Sequence, residues 1–252
     1  MTNMVNSTVF RFHDARGGVE QNIVIPTQIL VNRCAFVRRA EEQYEEGNSE
    51  HVMLFPNHGP DAWFIYRHIL EYDTVPHKDQ DGNLLVCSEE APRCGDAEHP
   101  YSHELCQKAF DLLIRTYLLS AKLEDVDAKN CVVSALIAKI LDGTRGKDET
   151  LDLCLPGPKA IALLWDVGKK PHYTNRKTFL RPARQVVVDA YIYVGGAQAL
   201  LEADEMHRGF LYDLAMTAMQ RDREYGGFGD SFKAYHEKEG KKWYAPGMVV
   251  YW

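Results

Sequence analysis

Residues 109–140 read AFDLLIRTYLLSAKLEDVDAKNCVVSALIAKI. In the first half Phe110, Leu113, Ile114, Tyr117, Leu118 and Ala121 recur at helical spacing, which makes one stripe apolar. Glu124-Asp125-Val126-Asp127 then breaks the pattern and supplies Asp side chains able to cap a following helix. Val133, Leu136, Ile137 and Ile140 repeat the stripe. The spacing predicts an αα-hairpin built for packing. It carries no reactive constellation, so it points to a scaffold rather than to catalysis.

Upstream of it, Thr8 to Phe12 and Gln21 to Ile25 read as strands joined by the turn signal Arg16-Gly17-Gly18. Pro26 opens a helix through Ile29, Leu30, Arg33 and Val37. Glu50 to Phe55 alternates as a third strand, and Pro60 starts a helix whose apolar face is Trp63, Tyr66, Ile69 and Leu70. Residues 76–101 are rich in Asp, Glu, Gly and Pro and read as a long loop or insertion, mobile unless something pins it. Downstream, the charged segment Asp142 to Thr150 is the candidate boundary between two parts of the chain. Pro156-Gly157-Pro158 then leads a helix through Ile161, Leu164 and Trp165. Gln185 to Val194 is ambiguous. Its β-branched content favours a strand, while Val186, Ala190 and Tyr193 would share a helix face. Met206 to Arg221 reads as a helix with Phe210, Leu211, Leu214 and Met219 apolar, and a tail of Gly, aromatics and charge follows from Glu224 to Trp252.

The chain has 252 residues, 45% of them hydrophobic, enough for one large domain or two small ones. A net charge of −7 argues against general nucleic-acid binding, which needs a cationic footprint. No segment reaches the roughly 18 apolar residues of a membrane span. The N-terminal run MTNMVNSTVFRFHDARGG has neither the basic start nor the apolar core of a secretion signal. The expectation is an intracellular protein of the cytoplasm or nucleus, in which the six cysteines are free thiols rather than disulfides.

In order and spacing these segments resemble a BTB/POZ domain of the fungal type. That family has a strand ending Val-His-Lys and then a helix Ile-Leu-x-x-Arg-Ser. Here Ile29, Leu30 and Arg33 agree, while Pro26 replaces the His and Cys34 the Ser. A helix opening Pro-Glu-Ala-Phe and ending Trp-Leu-Tyr-Thr-Gly corresponds to Pro60-Asp61-Ala62-Trp63 through Ile69-Leu70, with Glu71-Tyr72-Asp73 in place of Tyr-Thr-Gly. The family's helix pair is matched by Leu113-Ile114, Tyr117, Lys122-Leu123, Asp125 and Ser134-Ala135-Leu136-Ile137. Leu180-Arg181, Val188-Asp189-Ala190-Tyr191 and Phe210-Leu211-Tyr212-Asp213-Leu214 resemble the C-terminal part of such proteins.

The resemblance covers about residues 7 to 223. It implies an α+β fold, with a BTB/POZ-like domain over 7–141: a small, mainly three-stranded sheet flanked by helices, with its insertion at 76–101. An α-helical extension over 151–223 and a tail over 224–252 follow. It also implies that Gln185 to Val194 is helical. In function it implies a non-catalytic protein-interaction module that pairs with itself as a homodimer, acts as an adaptor for a cullin-type ubiquitin ligase, or does both.

Three places could carry contacts or chemistry. Tyr44-Glu45-Glu46 stands where cullin-recruiting relatives carry a hydrophobic-x-Glu triplet, whose apolar side chain fills a groove while the carboxylate pairs beside it. The competing reading is a solvated acidic helix end that continues Glu41-Glu42. Cys87, Cys94, His99 and His103, with Cys106, have the spacing C-x6-C-x4-H-x3-H-x2-C. Four such ligands could hold a structural zinc, which makes a zinc-stabilised regulator or small enzyme the alternative function. Against this, the spacing matches no standard zinc finger, and incidental loop residues account for it. Lys169-Lys170, Arg176-Lys177, Arg181 and Arg184 form a basic patch that could meet an acidic partner, or else a solvated face. An enzyme is not expected. Cys34, Cys131 and Cys154 lack a local His base, and neither Gly195-Gly196 nor Gly226-Gly227 precedes a phosphate-loop Lys-Ser/Thr.

Overall fold

The structure, a computed structural model, describes residues 7–12, 21–43, 59–82, 85, 103–142, 154–167, 180–193 and 205–220. Within these it is mostly helical, with one small antiparallel sheet. Strands β1 (Ser7–Phe12) and β2 (Gln21–Pro26) pair with Val9 opposite Val24 and Thr8 opposite Ile25. Alternation along β2 sends Ile23 and Ile25 into the core and leaves Val24 outside. Among the described residues two strands are seen, and the expected third, Glu50 to Phe55, lies outside them.

The helix expected through Val37 is two helices, α1 (Thr27–Arg33) and α2 (Ala35–Gln43). Cys34 separates them in an extended conformation, φ −99° and ψ 105°. Its amide still donates to the Leu30 carbonyl at 2.7 Å, and its carbonyl accepts from the Arg38 amide at 3.0 Å. One residue thus ends α1 and begins α2, which leaves few helix-end groups unpaired. Helix α3 (Pro60–Tyr72) starts at Pro60, whose missing N–H costs nothing at a helix start, and buries Trp63, Tyr66, Ile69 and Leu70 as expected.

The hairpin forms as α4 (His103–Leu123) and α5 (Val126–Asp142). Helix α4 is the central element. Its 21 residues span about 31 Å, and it packs against α2, α3, α5 and α6 (Pro158–Asp166). It is buried nearly all round, which explains two polar residues inside it. The Thr116 hydroxyl donates to the Leu112 carbonyl at 2.9 Å and the Ser120 hydroxyl to the Thr116 carbonyl at 2.8 Å, so neither is buried unpaired. Between the helices, the Glu124 amide bonds the Ala121 carbonyl at 3.3 Å and the Asp125 amide the Ser120 carbonyl at 3.0 Å. With Glu124 left-handed at φ 60°, this is a Schellman ending. Asp125 then caps α5 as expected, its Oδ1 accepting the Ala128 amide at 2.9 Å.

The insertion is pinned near its start: Pro76 and Leu85 are buried, and the Leu85 amide donates to the His77 carbonyl at 2.8 Å. On the far side of α4, Gln107 clamps the chain before α6 by donating to the Leu155 carbonyl at 2.8 Å and accepting the Gly157 amide. A Cβ at Gly157 would meet Gln107 Oε1 at 2.7 Å, so a side chain there would displace this clamp. Helix α7 (Arg181–Tyr193) is helical despite its valines. Val186, Val187, Val188, Ala190 and Tyr191 are all buried, and burial on most of the helix surface outweighs a propensity difference of ~1 kcal/mol or less. Helix α8 (Arg208–Gln220) closes the fold, with Phe210 edge-on to both Trp165 and Tyr191. One hydrophobic cluster runs from Ile23 to Leu214.

Because Phe210 belongs to that shared core, Phe210→Ala is expected to cost about 3–5 kcal/mol. Urea unfolding followed by far-ultraviolet dichroism and by tryptophan fluorescence should show one coincident, shifted transition. Lys108→Ala, which removes only the exposed Glu104 pair, should change stability by about 0.5 kcal/mol or less.

Candidate functional site

The most concentrated group of polar chemistry lies where α1, α3 and the α4–α5 corner meet. Arg33, the last residue of α1, donates from Nη1 to the Asp73 carboxylate at 2.5 Å and to the Ile69 carbonyl at 3.4 Å. Its Nε stands 3.5 Å from Asp125 Oδ2, an ion pair without a hydrogen bond. Nε and Nη2 are buried and have no hydrogen-bond partner among the described residues.

Each contact has a local cause. Asp73 ends α3 in the left-handed region, φ 55° and ψ 23°, with its amide on the Ile69 carbonyl at 2.9 Å. A non-glycine residue there carries roughly 1–2 kcal/mol of strain. The Arg33 pair offsets a similar amount, up to about 1 kcal/mol for a carboxylate as open to water as Asp73. The guanidinium also lies at the negative end of the α3 dipole. Glu124, the other left-handed carboxylate, is held the same way by Arg39 at 2.7 Å.

Asp125 is buried and satisfied on both oxygens. Oδ1 caps α5, and Oδ2 accepts the Tyr66 hydroxyl at 2.9 Å. The single Tyr66 proton is spent there, so the Cys34 thiol must donate to the Tyr66 oxygen, 2.8 Å away. The result is a relay from Cys34 through Tyr66 to Asp125, in which each bond polarises the next. Cys131 sits at its edge and donates to the Asp73 carbonyl at 3.1 Å.

Burial sets the charge states. Desolvation pushes the Asp125 carboxyl above the ordinary carboxylate range, although the Ala128 amide, Arg33 and the Tyr66 hydroxyl all pull it down. Desolvation also works against the Arg33 charge, but Asp125 and Asp73 together hold its pKa above the ordinary value. The Cys34 thiol is pushed up to about 12 and the Cys131 thiol to about 11, mainly by burial. Both stay protonated at neutral pH, which removes them as nucleophiles. This arrangement can hold helix ends in register; it offers neither an activated thiol nor an exposed acid–base pair.

Tyr44, Glu45 and Glu46 follow directly on α2 and lie outside the described residues, as do Cys87, Cys94 and His99. His103 is the first residue of α4, and its side chain is likewise outside the description. Cys106 is buried and disulfide-bonded, with its partner beyond the described residues. This corrects the expectation of six free thiols. Pairing depends on where the fold brings two sulfurs together, which an argument from compartment does not address. Among the described residues Cys34, Cys131 and Cys154 form no disulfide, and no group of three or more metal-ligating side chains occurs.

One member of the basic patch is placed otherwise than expected. Arg184 turns inward, donating to the Leu164 carbonyl at 3.0 Å and lying 5.2 Å from the centre of the Trp165 ring. Trp165 in turn donates to Asp213 at 2.9 Å. Arg184 is thus committed to packing, and Lys169, Lys170, Arg176 and Lys177 lie outside the described residues.

Sequence reading found Arg33 and the Asp125 cap separately and missed that they meet. The available signal was a charged residue inside the apolar Ile29–Val37 pattern, since a charge on a buried face needs a partner. No helix among the described residues is long and apolar enough to cross a membrane. No family model matches the chain, and it has no significant match among curated proteins or solved structures.

Two outcomes are expected here. Asp125→Asn removes the charge and keeps one acceptor, for the Ala128 amide; its side-chain amide nitrogen then donates to the Tyr66 oxygen instead of accepting from it. Because the folded carboxyl titrates above its ordinary 3.8, the native state holds a proton that the unfolded state has released. The stabilisation is complete below pH 3.8 and is lost as pH rises through the folded value. Urea midpoints should therefore show the variant gaining on the wild type as pH rises from there, then levelling off; a flat difference would reject the buried charge. Separately, Cys34 should alkylate about a thousandfold more slowly than a thiol at the ordinary 9.0, read by mass spectrometry at neutral pH.

Proposed function

We propose that the chain is a non-catalytic protein-interaction module of the BTB/POZ type, which joins a second copy of itself, a cullin-type scaffold, or both. The C-terminal helices brace that module. The observation that carries this reading is the convergence at Arg33. Four positions of the BTB-like pattern, from three separate stretches of sequence, come together there: Arg33, Cys34 in place of Ser, Asp73 in place of Gly, and Asp125. Asp73 takes the left-handed conformation that a glycine would supply at that place. Cys34 takes the hydrogen bond that a serine hydroxyl would make there. Both departures from the pattern are compatible with this reading.

The surface supports self-association. Val9 and Val24 face each other across the two strands and are 45% and 44% exposed. An outward apolar pair on neighbouring strands suits a surface from another chain. The inert thiols and the satisfied Asp125 favour a binding role over a catalytic one.

Size-exclusion chromatography with light scattering should give a dimer that Val9→Lys with Val24→Lys converts to monomer, since both side chains are outside the core. A wild-type monomer at high concentration would remove the self-association. For the second partner, a pull-down scored for cullin should lose its signal on Tyr44→Ala with Glu46→Ala. Binding that survives both changes would reject that assignment.

A further inference from the structure

Helix α8 presents an apolar stripe to solvent on the side away from the core. Tyr212, Met216 and Met219 are 65%, 39% and 77% exposed. They recur at helical spacing and share one face, while Phe210 and Leu214 are buried on the other. A soluble helix rarely leaves a stripe of this kind on its outer face without a use for it.

We propose that this stripe is the docking surface for the chain's own C-terminal segment, residues 243–252. Its sequence, WYAPGMVVYW, is almost wholly apolar, with Trp243, Tyr244, Tyr251 and Trp252 at its two ends. Three lines of argument select this occupant. The first is connection. The segment is tethered to the end of the helix that carries the stripe, through Gly226-Gly227 and Gly229, which let a chain reverse direction cheaply. A random-coil chain of the length from Gln220 to Trp243 spans about 25 Å on average, and the stripe is only ~10 Å long. The second is size. Three side chains along one side of a helix cannot by themselves supply the ~800 Å² per partner that a stable dimer buries, whereas Val9 and Val24 would be only part of a larger strand-side interface. A tethered segment acts at an effective concentration of about millimolar, so it fills a small site that a free partner would leave empty. The third is chemistry. Two methionines and a tyrosine make a soft surface, and thioether sulfur packs well against indole and phenol rings. The contact is intramolecular, so it does not depend on which partners the rest of the chain engages.

Hydrogen–deuterium exchange on the intact chain tests this. Peptides covering 243–252 should exchange at least about tenfold more slowly than an unstructured reference. Tyr212→Ser with Met219→Ser should abolish that protection while exchange in α4 stays unchanged, which shows that the fold survives. In the reciprocal variant, Trp243→Ser with Trp252→Ser, peroxide should oxidise Met216 and Met219 several-fold faster. Unprotected 243–252 peptides would overturn the proposal, as would protection that ignores the stripe variant. Protection that disappears on dilution would assign the stripe to a second copy and overturn it equally.

Discussion

The guanidinium of Arg33 holds the end of α3 and the α4–α5 corner against the end of α1. Three helices stop within reach of one side chain, and each stop leaves carbonyls or carboxylates that need a positive neighbour. Asp73 and Asp125 supply the charge, Ile69 the carbonyl, and Tyr66 and Cys34 extend the network into the core. A buried ion pair of this sort contributes little net stability compared with an apolar replacement of the same shape. Its larger effect is on register: removing one member leaves the other charged and buried, so the three helix ends are favoured in only one arrangement.

The C-terminal helices repeat the device. Arg184 caps the end of α6 through the Leu164 and Trp165 carbonyls and lies over the Trp165 ring. Asp213 on α8 takes the indole N–H of the same tryptophan. In both places an arginine serves a helix C-terminus, and an aromatic side chain passes a hydrogen bond to an aspartate. The long apolar helix α4 lies between these two polar locks and gives both a common core to close against.

The elements legible in the sequence are those whose apolar period is long. The α4–α5 pair, α3 and α8 follow their spacing, and the Asp125 cap could be named in advance. What local pattern could not carry is tertiary. The apolar period runs through Cys34 without a break, and the helix stops there at the residue whose thiol meets Tyr66, far along the chain. The valines of α7 favour a strand until their burial on several faces is counted. Arg184 looks like surface charge because nothing in its neighbourhood announces Trp165 as its partner. The Arg33–Asp125 meeting was hidden for the same reason. Each residue had an ordinary local explanation, and only the fold places them side by side.

That meeting bears the weight of the proposed function, because it joins residues from three separate helix ends. A double-mutant cycle between Arg33→Met and Asp125→Asn, measured by urea unfolding at neutral pH, tests it most directly. The account predicts that the double variant is less destabilised than the sum of the single ones, with a coupling of about 1–3 kcal/mol. Additivity within about 0.5 kcal/mol would contradict it.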